Sequence, residues 1–468
     1  MSAKIIFVLN NKLTETDSNP AITLADFLRY EKKLPGTKIA CREGDCGACT
    51  IISGETVNNN LVYKNLVSCI LPLNAAHKKH IVTIEGLSGD NLNPIQEEFL
   101  KQGATQCGFC TPGFINSLTS FFLSSPVISY EIALKYVAGN ICRCTGYFSI
   151  KRAIKELVNK YSPELNNFDT RIDDLIRLGI IPGYFKEIKA RLINITDTKS
   201  QFPKDNADYL ISGGTDLYVT GYPAVKYGNV NFIESTVKEP VTETHDSIHI
   251  NASSTIDDIL TSEIIKKYFP AISELEIHFG SKQIRSRATA AGNIINASPI
   301  GDFTIFLLSL GAEAVFKNDF RKRKIFLKDL FLGYKKLDYK KDEILEEIIF
   351  RKPSSKAFLN FVKISRREHL DIASVNSGFF AEIESGVLKR VGISAGGVAP
   401  VPKFLNEVSA FLERKTISGE NIDVAVSLAG NEIKPITDAR GSDVYKSGLM
   451  KKILKNHFAK LKKFVEKN

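Results

Sequence analysis

Three cysteines fall close together in Cys41-Arg-Glu-Gly-Asp-Cys46-Gly-Ala-Cys49, and a fourth, Cys69, follows in Val67-Ser-Cys-Ile-Leu71. The C-x4-C-x2-C spacing with a later cysteine lets one compact loop bring four thiolates to the two irons of a 2Fe–2S cluster. Gly44 and Gly47 can take backbone angles that other residues avoid, so the loop can curl with its amides towards the sulfurs. Zinc is the competing ligand, but structural zinc sites usually use paired C-x2-C knuckles, which the x4 gap matches poorly. The remaining cysteines form a second set, Cys107-Gly-Phe-Cys110 and Cys142-Arg-Cys144. Both pairs precede segments of helical periodicity, and free amides and the helix dipole at a helix start favour an anionic cluster. Two sets of four use all eight cysteines, which leaves none for a disulfide or a thiol nucleophile. A second, helical 2Fe–2S site is therefore expected.

The elements that must position these thiols are legible in outline. Lys4-Ile-Ile-Phe-Val-Leu9 reads as a strand turning at Asn10-Asn11 into a second. Thr23 with Asp26 resembles a capping box for a helix that shares Leu24, Phe27 and Leu28 on one face. From about 94 to 160 the pattern is helical. Thr111 is expected to cap a helix opening at Pro112, and Ile150, Ala153, Ile154, Leu157, Val158 and Tyr161 mark a helical face. Residues 163–205, rich in Pro, Asn and Asp, read as a linker. Beyond it, Ile211-Ser-Gly-Gly-Thr-Asp216 follows a short strand, and its paired glycines allow backbone amides to approach a phosphate. Thr289-Ala-Ala-Gly-Asn-Ile-Ile-Asn-Ala-Ser-Pro299 reads on its own as a structural loop. From about 355, Asn376–Ile383 and Leu388–Ser394 read as strands with helices after them.

Composition narrows the function classes. The net charge of +10 is concentrated in residues 446–468, where eight lysines face one glutamate, so the rest of the chain carries only about +3. That is too little for a nucleic-acid footprint. Leu449, Ile453, Leu454, Leu461, Phe464 and Val465 give this tail one apolar side, as for a terminal helix packed on its own domain. No apolar run is long enough to span a membrane, and the N-terminal Ile5–Leu9 run is too short for a signal-peptide core, so the expected location is cytoplasmic. The seven histidines are scattered and read as surface or loop residues. There is no G-x-S-x-G, Walker loop or G-x-G-x-x-G.

Taken together, Cys41–Thr50, Gln106-Cys-Gly-Phe-Cys-Thr-Pro-Gly113 and Gly139-Asn-Ile-Cys-Arg-Cys-Thr-Gly-Tyr147 resemble the iron–sulfur region of xanthine dehydrogenases and the wider molybdenum hydroxylase family. Ser212–Asp216, Lys282-Gln-Ile-Arg-Ser286, Gly292-Asn-Ile294 and Ala297-Ser-Pro299 resemble that family's flavin domain. Lys363-Ile-Ser-Arg-Arg-Glu368 with Asp371-Ile-Ala373 resembles a later flavin-contact segment.

The resemblance implies a multidomain α+β chain. Residues 1–85 would form a β-grasp, ferredoxin-like 2Fe–2S domain and 86–162 a helical-bundle 2Fe–2S domain. After the linker, 206–350 would form an α/β FAD-binding domain and 355–465 a small C-terminal α/β domain. It also implies FAD held by Tyr209, Leu210, Ile211, Ser212, Gly213, Gly214, Thr215 and Asp216 around the pyrophosphate. Phe279 would lie beside the flavin, Thr289, Ala290, Ala291, Gly292, Asn293 and Ile295 would hold the cofactor, and Asp302 would meet the adenosine end. Leu345 and Lys363 would flank the isoalloxazine. Asp216 stands where eukaryotic members carry Glu. The cluster ligands would be Cys41, Cys46, Cys49 and Cys69, and Cys107, Cys110, Cys142 and Cys144. Family members with every cofactor on one chain continue into a large molybdopterin domain. This sequence ends at 468, so a molybdopterin-binding large subunit is expected as partner, in a heterotetramer, with NAD as electron acceptor. No catalytic acid or base for the substrate is expected here. Two rivals stay open: the same architecture serving a hydroxylase of aldehydes or other N-heterocycles, and a zinc-binding interaction protein.

Overall fold

The structure is a computed structural model and describes residues 4–89, 91–195, 207–233, 239–270, 272, 276–367 and 369–467. It divides into two units, Met1–Glu234 with Ser281–Ala288, and Ser235–Gly280 with Thr289–Asn468. Residues 196–205 of the expected linker, and Glu368, lie outside the described residues.

The first unit opens with the strand pair β1 (Ile5–Leu9) and β2 (Lys12–Thr16), joined at Asn10, whose φ of +53° suits a tight turn. With β3 (Thr50–Val57), β4 (Asn60–Val67) and β5 (His80–Val82) they form a five-stranded sheet in the order β2-β1-β5-β3-β4, with β1 and β5 parallel. This is a β-grasp sheet. Phe7, Phe27, Leu28 and Ile51 fill the core between it and the turn opened by Thr23, whose hydroxyl accepts from the Asp26 amide at 3.1 Å. The cysteine loop, residues 41–49, leads directly into β3.

Helices Pro94–Lys101, Thr111–Ser124, Tyr130–Val137 and Phe148–Tyr161 follow. The second of these begins one residue before the expected Pro112. Its cap is Cys110, and the Thr111 hydroxyl bonds Thr105 Oγ1 at 2.8 Å instead of capping. Ile115, Leu118 and Phe122 are buried with Ile150, Ile154 and Tyr161 in one helical core. Within the segment read as a linker, Arg171–Arg177, Gly183–Glu187 and Ile188–Ile193 are helical. Leu175 and Phe185 join the helical core, and Ile188 packs with Val8 of β1. The buried guanidinium of Arg171 fastens this segment. It donates to the carbonyls of Phe122 and Ser125, at the end of helix Thr111–Ser124, at 2.9 and 2.8 Å, and to Leu165 O at 2.8 Å. A cation at a helix C-terminus meets the negative end of its dipole. The unit ends with the parallel pair β6 (Tyr209–Ile211) and β7 (Val230–Phe232).

The second unit holds three sheets. Strands β8 (Val241–Glu243), β9 (Ser247–Asn251), β10 (Glu313–Lys317), β11 (Lys322–Phe326) and β14 (Ile344–Arg351) form one in the order β11-β10-β14-β9-β8. β12 (Phe331–Gly333) and β13 (Lys336–Leu337) make a small hairpin. β15 (Ala357–Ile364), β16 (Val375–Glu384), β17 (Val387–Gly396) and β18 (Lys403–Phe404) form an antiparallel sheet. The C-terminal helix Asp443–Lys467 covers it, with Met450, Ile453, Leu454, Phe458 and Leu461 buried. Among the described residues no helix is long and apolar enough to cross a membrane.

Two histidines are not on the surface. His80 and His457 are both 0% exposed. His80 Nε2 donates to Asn10 O at 2.9 Å and Nδ1 accepts from the Tyr63 hydroxyl at 3.0 Å. His457 Nδ1 accepts from Asn360 Nδ2 at 2.6 Å, and its Nε2 donates to Ser377 Oγ at 3.1 Å. Both rings are neutral in these arrangements, and burial pushes each pKa down to about 3. Below an ordinary value of about 6.5 the unfolded chain takes up protons that the native rings refuse. The stability from this difference is therefore complete above about pH 6.5 and is lost as pH falls towards about 3, at about 2 kcal/mol per ring between pH 6.5 and pH 5. His457→Gln should remove one share, so its urea midpoint should fall less than wild type between about pH 7.5 and about pH 5. Equal falls in both proteins would contradict this.

Candidate functional site

In the first unit the thiols come together. Cys41 Sγ lies 3.3 Å from Cys46 Sγ, and Cys69 interacts with both Cys49 and Cys41. In the helical part Cys107 Sγ lies 3.6 Å from Cys144 Sγ, and Cys110 faces Cys142. The Cys110 thiol is pushed up to about 12, by burial first and then by Cys142. Two thiolates bonded at about 2.3 Å to one tetrahedral metal sit roughly 3.8 Å apart, so each close pair suits one metal atom. Among the described residues no group of three or more such side chains is arranged around a single metal ion. Four thiol donors to each set suit a two-iron cluster. Amides also turn to the sulfurs, as an anionic cluster requires: Glu43 N reaches Cys41 Sγ at 3.4 Å and Thr145 N reaches Cys142 Sγ at 3.5 Å.

The backbone explains how these loops hold their shape. Gly44 and Gly47 have φ of +79° and +65°, in the left-handed region where glycine is at home. Arg42 grips Asp26 through two bonds of 2.7 and 3.2 Å. Tyr147, with φ of +66°, folds its ring back so that its hydroxyl accepts from the Cys142 amide at 3.1 Å.

The two thiol sets are joined directly. The amide of Ile141, next to Cys142, donates to the carbonyl of Cys46 at 2.9 Å, and Asn140 Nδ2 donates to Gly47 O at 3.0 Å. Gln283, 0% exposed, secures this junction from a segment that sequence reading assigned to the flavin domain. Its Nε2 donates to Asn140 Oδ1 at 3.0 Å and to Tyr136 O at 3.3 Å. Four residues on, Arg287 donates to Gly213 O at 3.0 Å and Ser212 O at 2.8 Å. Cys49 and Cys69 share a buried cluster with Ile211 and Tyr218, which flank the same loop. Arg287 was not singled out in the sequence, and Asp26, Asn140 and Gln283 stood in the motifs read there without these linking roles.

Arg287 occupies the carbonyls of the Ser212–Asp216 loop, and among the described residues the amides of Gly213, Gly214 and Thr215 donate to no other backbone group. Such a run of free amides suits a pyrophosphate. Gly214 has φ of +77°, and an added Cβ would meet Ile211 and Tyr218 at 3.2 Å. The strain thus arises inside the loop, whatever the ligand. Gly214→Val, β-branched in a left-handed conformation, should cost roughly 1–2 kcal/mol or more. It should lower the flavin-to-protein ratio after gel filtration, and full flavin retention would remove the phosphate role from this loop.

In the second unit the expected flavin residues sit in four places. Thr289 caps helix Ala290–Ile295, its hydroxyl accepting from Gly292 N at 3.1 Å. Ala290 N and Ala291 N donate to Ser254 O and Ala252 O, and Asn293 N to Thr289 O. These amides are spent, so this stretch has side chains and the bare Gly292 Cα to offer a cofactor. Asn293 Oδ1 accepts from Thr304 Oγ1 at 2.8 Å, which leaves its Nδ2 available. Phe279 is buried against Phe303, Phe306 and Phe361. Leu345 lies in β14 opposite Phe316. Lys363 Nζ donates to Asp302 Oδ2 at 2.7 Å and to His278 O at 2.8 Å, and Asn376 Nδ2 meets Asp302 Oδ1 at 2.6 Å. Burial pushes the Asp302 carboxyl up, with Lys363 and Asn376 opposing. Asp302 and Lys363, expected at the adenosine end and the isoalloxazine respectively, thus form one ion pair.

Comparison with known proteins places these features. Residues 83–155 match the [2Fe-2S] binding domain, 193–353 the FAD binding domain in molybdopterin dehydrogenase, and 360–461 the CO dehydrogenase flavoprotein C-terminal domain. Xanthine dehydrogenase from Calliphora vicina is 29% identical over 85% of this chain and 34% of its own length. Xanthine dehydrogenase/oxidase from Rattus norvegicus is 28% identical over 84% of this chain and 34% of its own length. The chain thus spans about a third of the length of these relatives. Among solved structures, a carbon monoxide dehydrogenase from Hydrogenophaga pseudoflava superposes with a TM-score of 0.49 at 21% identity, over 53% of this chain and 87% of that one. The three consecutive matches show a [2Fe-2S] binding domain, an FAD binding domain of the kind found in molybdopterin dehydrogenase and a C-terminal domain of the kind found in the CO dehydrogenase flavoprotein.

Proposed function

We propose that this chain is the electron-transfer and NAD-reducing subunit of a xanthine dehydrogenase, carrying two 2Fe–2S clusters and FAD. It works in the cytoplasm beside a molybdopterin-binding large subunit, in a heterotetramer that oxidises hypoxanthine and xanthine towards urate. The observation that carries this reading is the unbroken path through the first unit. It runs from Cys107 and Cys144 at the surface, through Cys142 and the Ile141–Cys46 hydrogen bond, to Cys49 and Cys69, and on to the buried cluster beside Gly213.

When bound, the clusters supply one-electron transfer and the flavin couples it to two-electron chemistry. The chain's own residues position and shield. Glu43 N and Thr145 N stabilise negative charge on sulfur, Gln283 ties Asn140 of one cysteine loop to the junction with the other, and Arg287 holds the carbonyls of Ser212 and Gly213. Phe109, next to Cys110, and Phe148, four residues after Cys144, are 42% and 76% exposed, apolar surface suited to a partner.

Purifying the native complex tests the proposal. About four irons and one FAD per chain are expected, with molybdenum on a larger co-purifying chain and xanthine-dependent NAD⁺ reduction. Stoichiometric zinc without iron, in protein made anaerobically with adequate iron, would sink it. Oxidation of an aldehyde or another N-heterocycle in place of purines would overturn the substrate assignment alone.

A further inference from the structure

The geometry points to a nucleoside diphosphate site in a cleft along the outer edge of β15, apart from the residues assigned to FAD except where Lys363 forms part of its wall. Among the described residues β15 pairs with β16 alone, which leaves its far edge without a strand. Between that edge and helix Asp443–Lys467 lies a cleft of about 400 Å³, a size suited to a small-molecule ligand.

Its charge is one-sided. Lys452, Asn456 and Lys460 recur every four residues on one face of the helix and line one wall, and Lys363 lies on the other. Lys363 is already neutralised by Asp302. Lys460 is held instead by neutral groups: its Nζ donates to Asn360 Oδ1 at 3.1 Å, and Asn360 is held by His457. No carboxylate lines the cleft among the described residues. Two ammonium groups thus remain uncompensated there, one of them fixed by a buried hydrogen-bond network, and a diphosphate carries the matching charge. Lysines that merely guard a sheet edge sit on the edge strand itself; these two come from the covering helix.

The rest of the cleft suits the nucleoside. The part-exposed imidazole of His278, backed at 6.3 Å by the buried ring of Phe361, is the ring a base can meet in this cleft. The Asn456 amide and the open backbone groups of β15 can hydrogen-bond a heterocycle edge. The same chemistry has two sources, a free nucleotide such as ADP or the ADP half of a nicotinamide dinucleotide. Only the second rests on the redox reading above.

Titrating the full-length flavin-loaded protein with ADP, with inorganic phosphate and NADH in separate arms, tests this. ADP should bind saturably, and Lys452→Gln/Lys460→Gln should weaken it at least about tenfold, as expected for lost charge-assisted contacts. Flavin content should not change. Lys452→Gln alone leaves the Asn360–His457 network untouched and should still weaken ADP. A parallel rise in KM for NADH assigns the site to the dinucleotide, and an unchanged KM assigns it to a free nucleotide. Failure of NADH oxidation with ADP binding intact would count against the redox reading and not against this site. Absence of ADP binding, equal binding by wild type and the double variant, or phosphate binding as tight as ADP would each overturn it.

Discussion

Cys107→Ser should cut xanthine-dependent NAD⁺ reduction by at least about 100-fold, because changes in the outer shell of a metal site alone cost about 10–100-fold and this one removes a ligand. Oxidation of NADH by an artificial dye should stay close to the wild-type rate. The contrast follows from where the groups lie. Cys107 and Cys144 are exposed and 3.6 Å apart, while Cys49 and Cys69 are buried with Ile211 and Tyr218, which flank the Ser212–Asp216 loop. On the function proposed above, a dye drawing electrons from the flavin needs neither thiol set, whereas electrons from a partner's molybdenum would enter at the exposed one. Both rates would be measured on one preparation of the complex, with flavin and subunit content checked first. Equal loss of both, in an intact and flavin-replete complex, would refute this order of transfer.

The grouping of the eight cysteines was legible because that chemistry resides in residue type and spacing. Their pairing was not. Neighbours in sequence suggest Cys107 with Cys110 and Cys142 with Cys144, yet the structure sets Cys107 beside Cys144 and Cys110 beside Cys142. Two helix starts facing one another interleave their thiols, and only tertiary contact decides that. The same limit hid Gln283 and Arg287. Each acts on loops far away in sequence, Gln283 on Asn140 and Arg287 on Gly213, and nothing in Lys282–Ser286 marks it as leaving the flavin sequence to join the iron–sulfur unit.

Other differences had signals that were outweighed. Prolines and asparagines dominated residues 163–205, but Leu175, Ile180, Phe185, Ile188 and Leu192 are all buried, and their spacing of three to five residues was already a helical trace. His457 lies four residues after Ile453 and three after Leu454, on the apolar face of the tail helix, and so was placed inside by its own periodicity. The strands β16 and β17, by contrast, were plain from apolar content and turn signals, since an antiparallel hairpin needs little more than its own sequence.

The junction between the two thiol sets should be the least tolerant point of the first unit, and Gly47→Ala should show it. Gly47 has φ of +65°, and a Cβ there would lie 2.3 Å from Gly139 O, 2.6 Å from Asn140 Nδ2 and 2.9 Å from Asn140 Cα. Two of these are backbone atoms of the strand of chain that carries Ile141 and Cys142, so nothing flexible can move aside. The left-handed conformation alone costs about 1–2 kcal/mol for a residue with a Cβ, and forced overpacking adds roughly 1–3 kcal/mol. Gly103 separates the two contributions. It has φ of +63° with nothing within 4 Å of an added Cβ, so Gly103→Ala bears the conformational cost only. Thermal unfolding of the cluster-loaded protein should therefore fall clearly further for Gly47→Ala. Relief of the clash must separate Cys46 O from Ile141 N, so magnetic coupling between the two reduced clusters should weaken in Gly47→Ala and persist in Gly103→Ala. If both variants melt alike and keep wild-type coupling, the Cys46–Ile141 contact is not the link between the two sets.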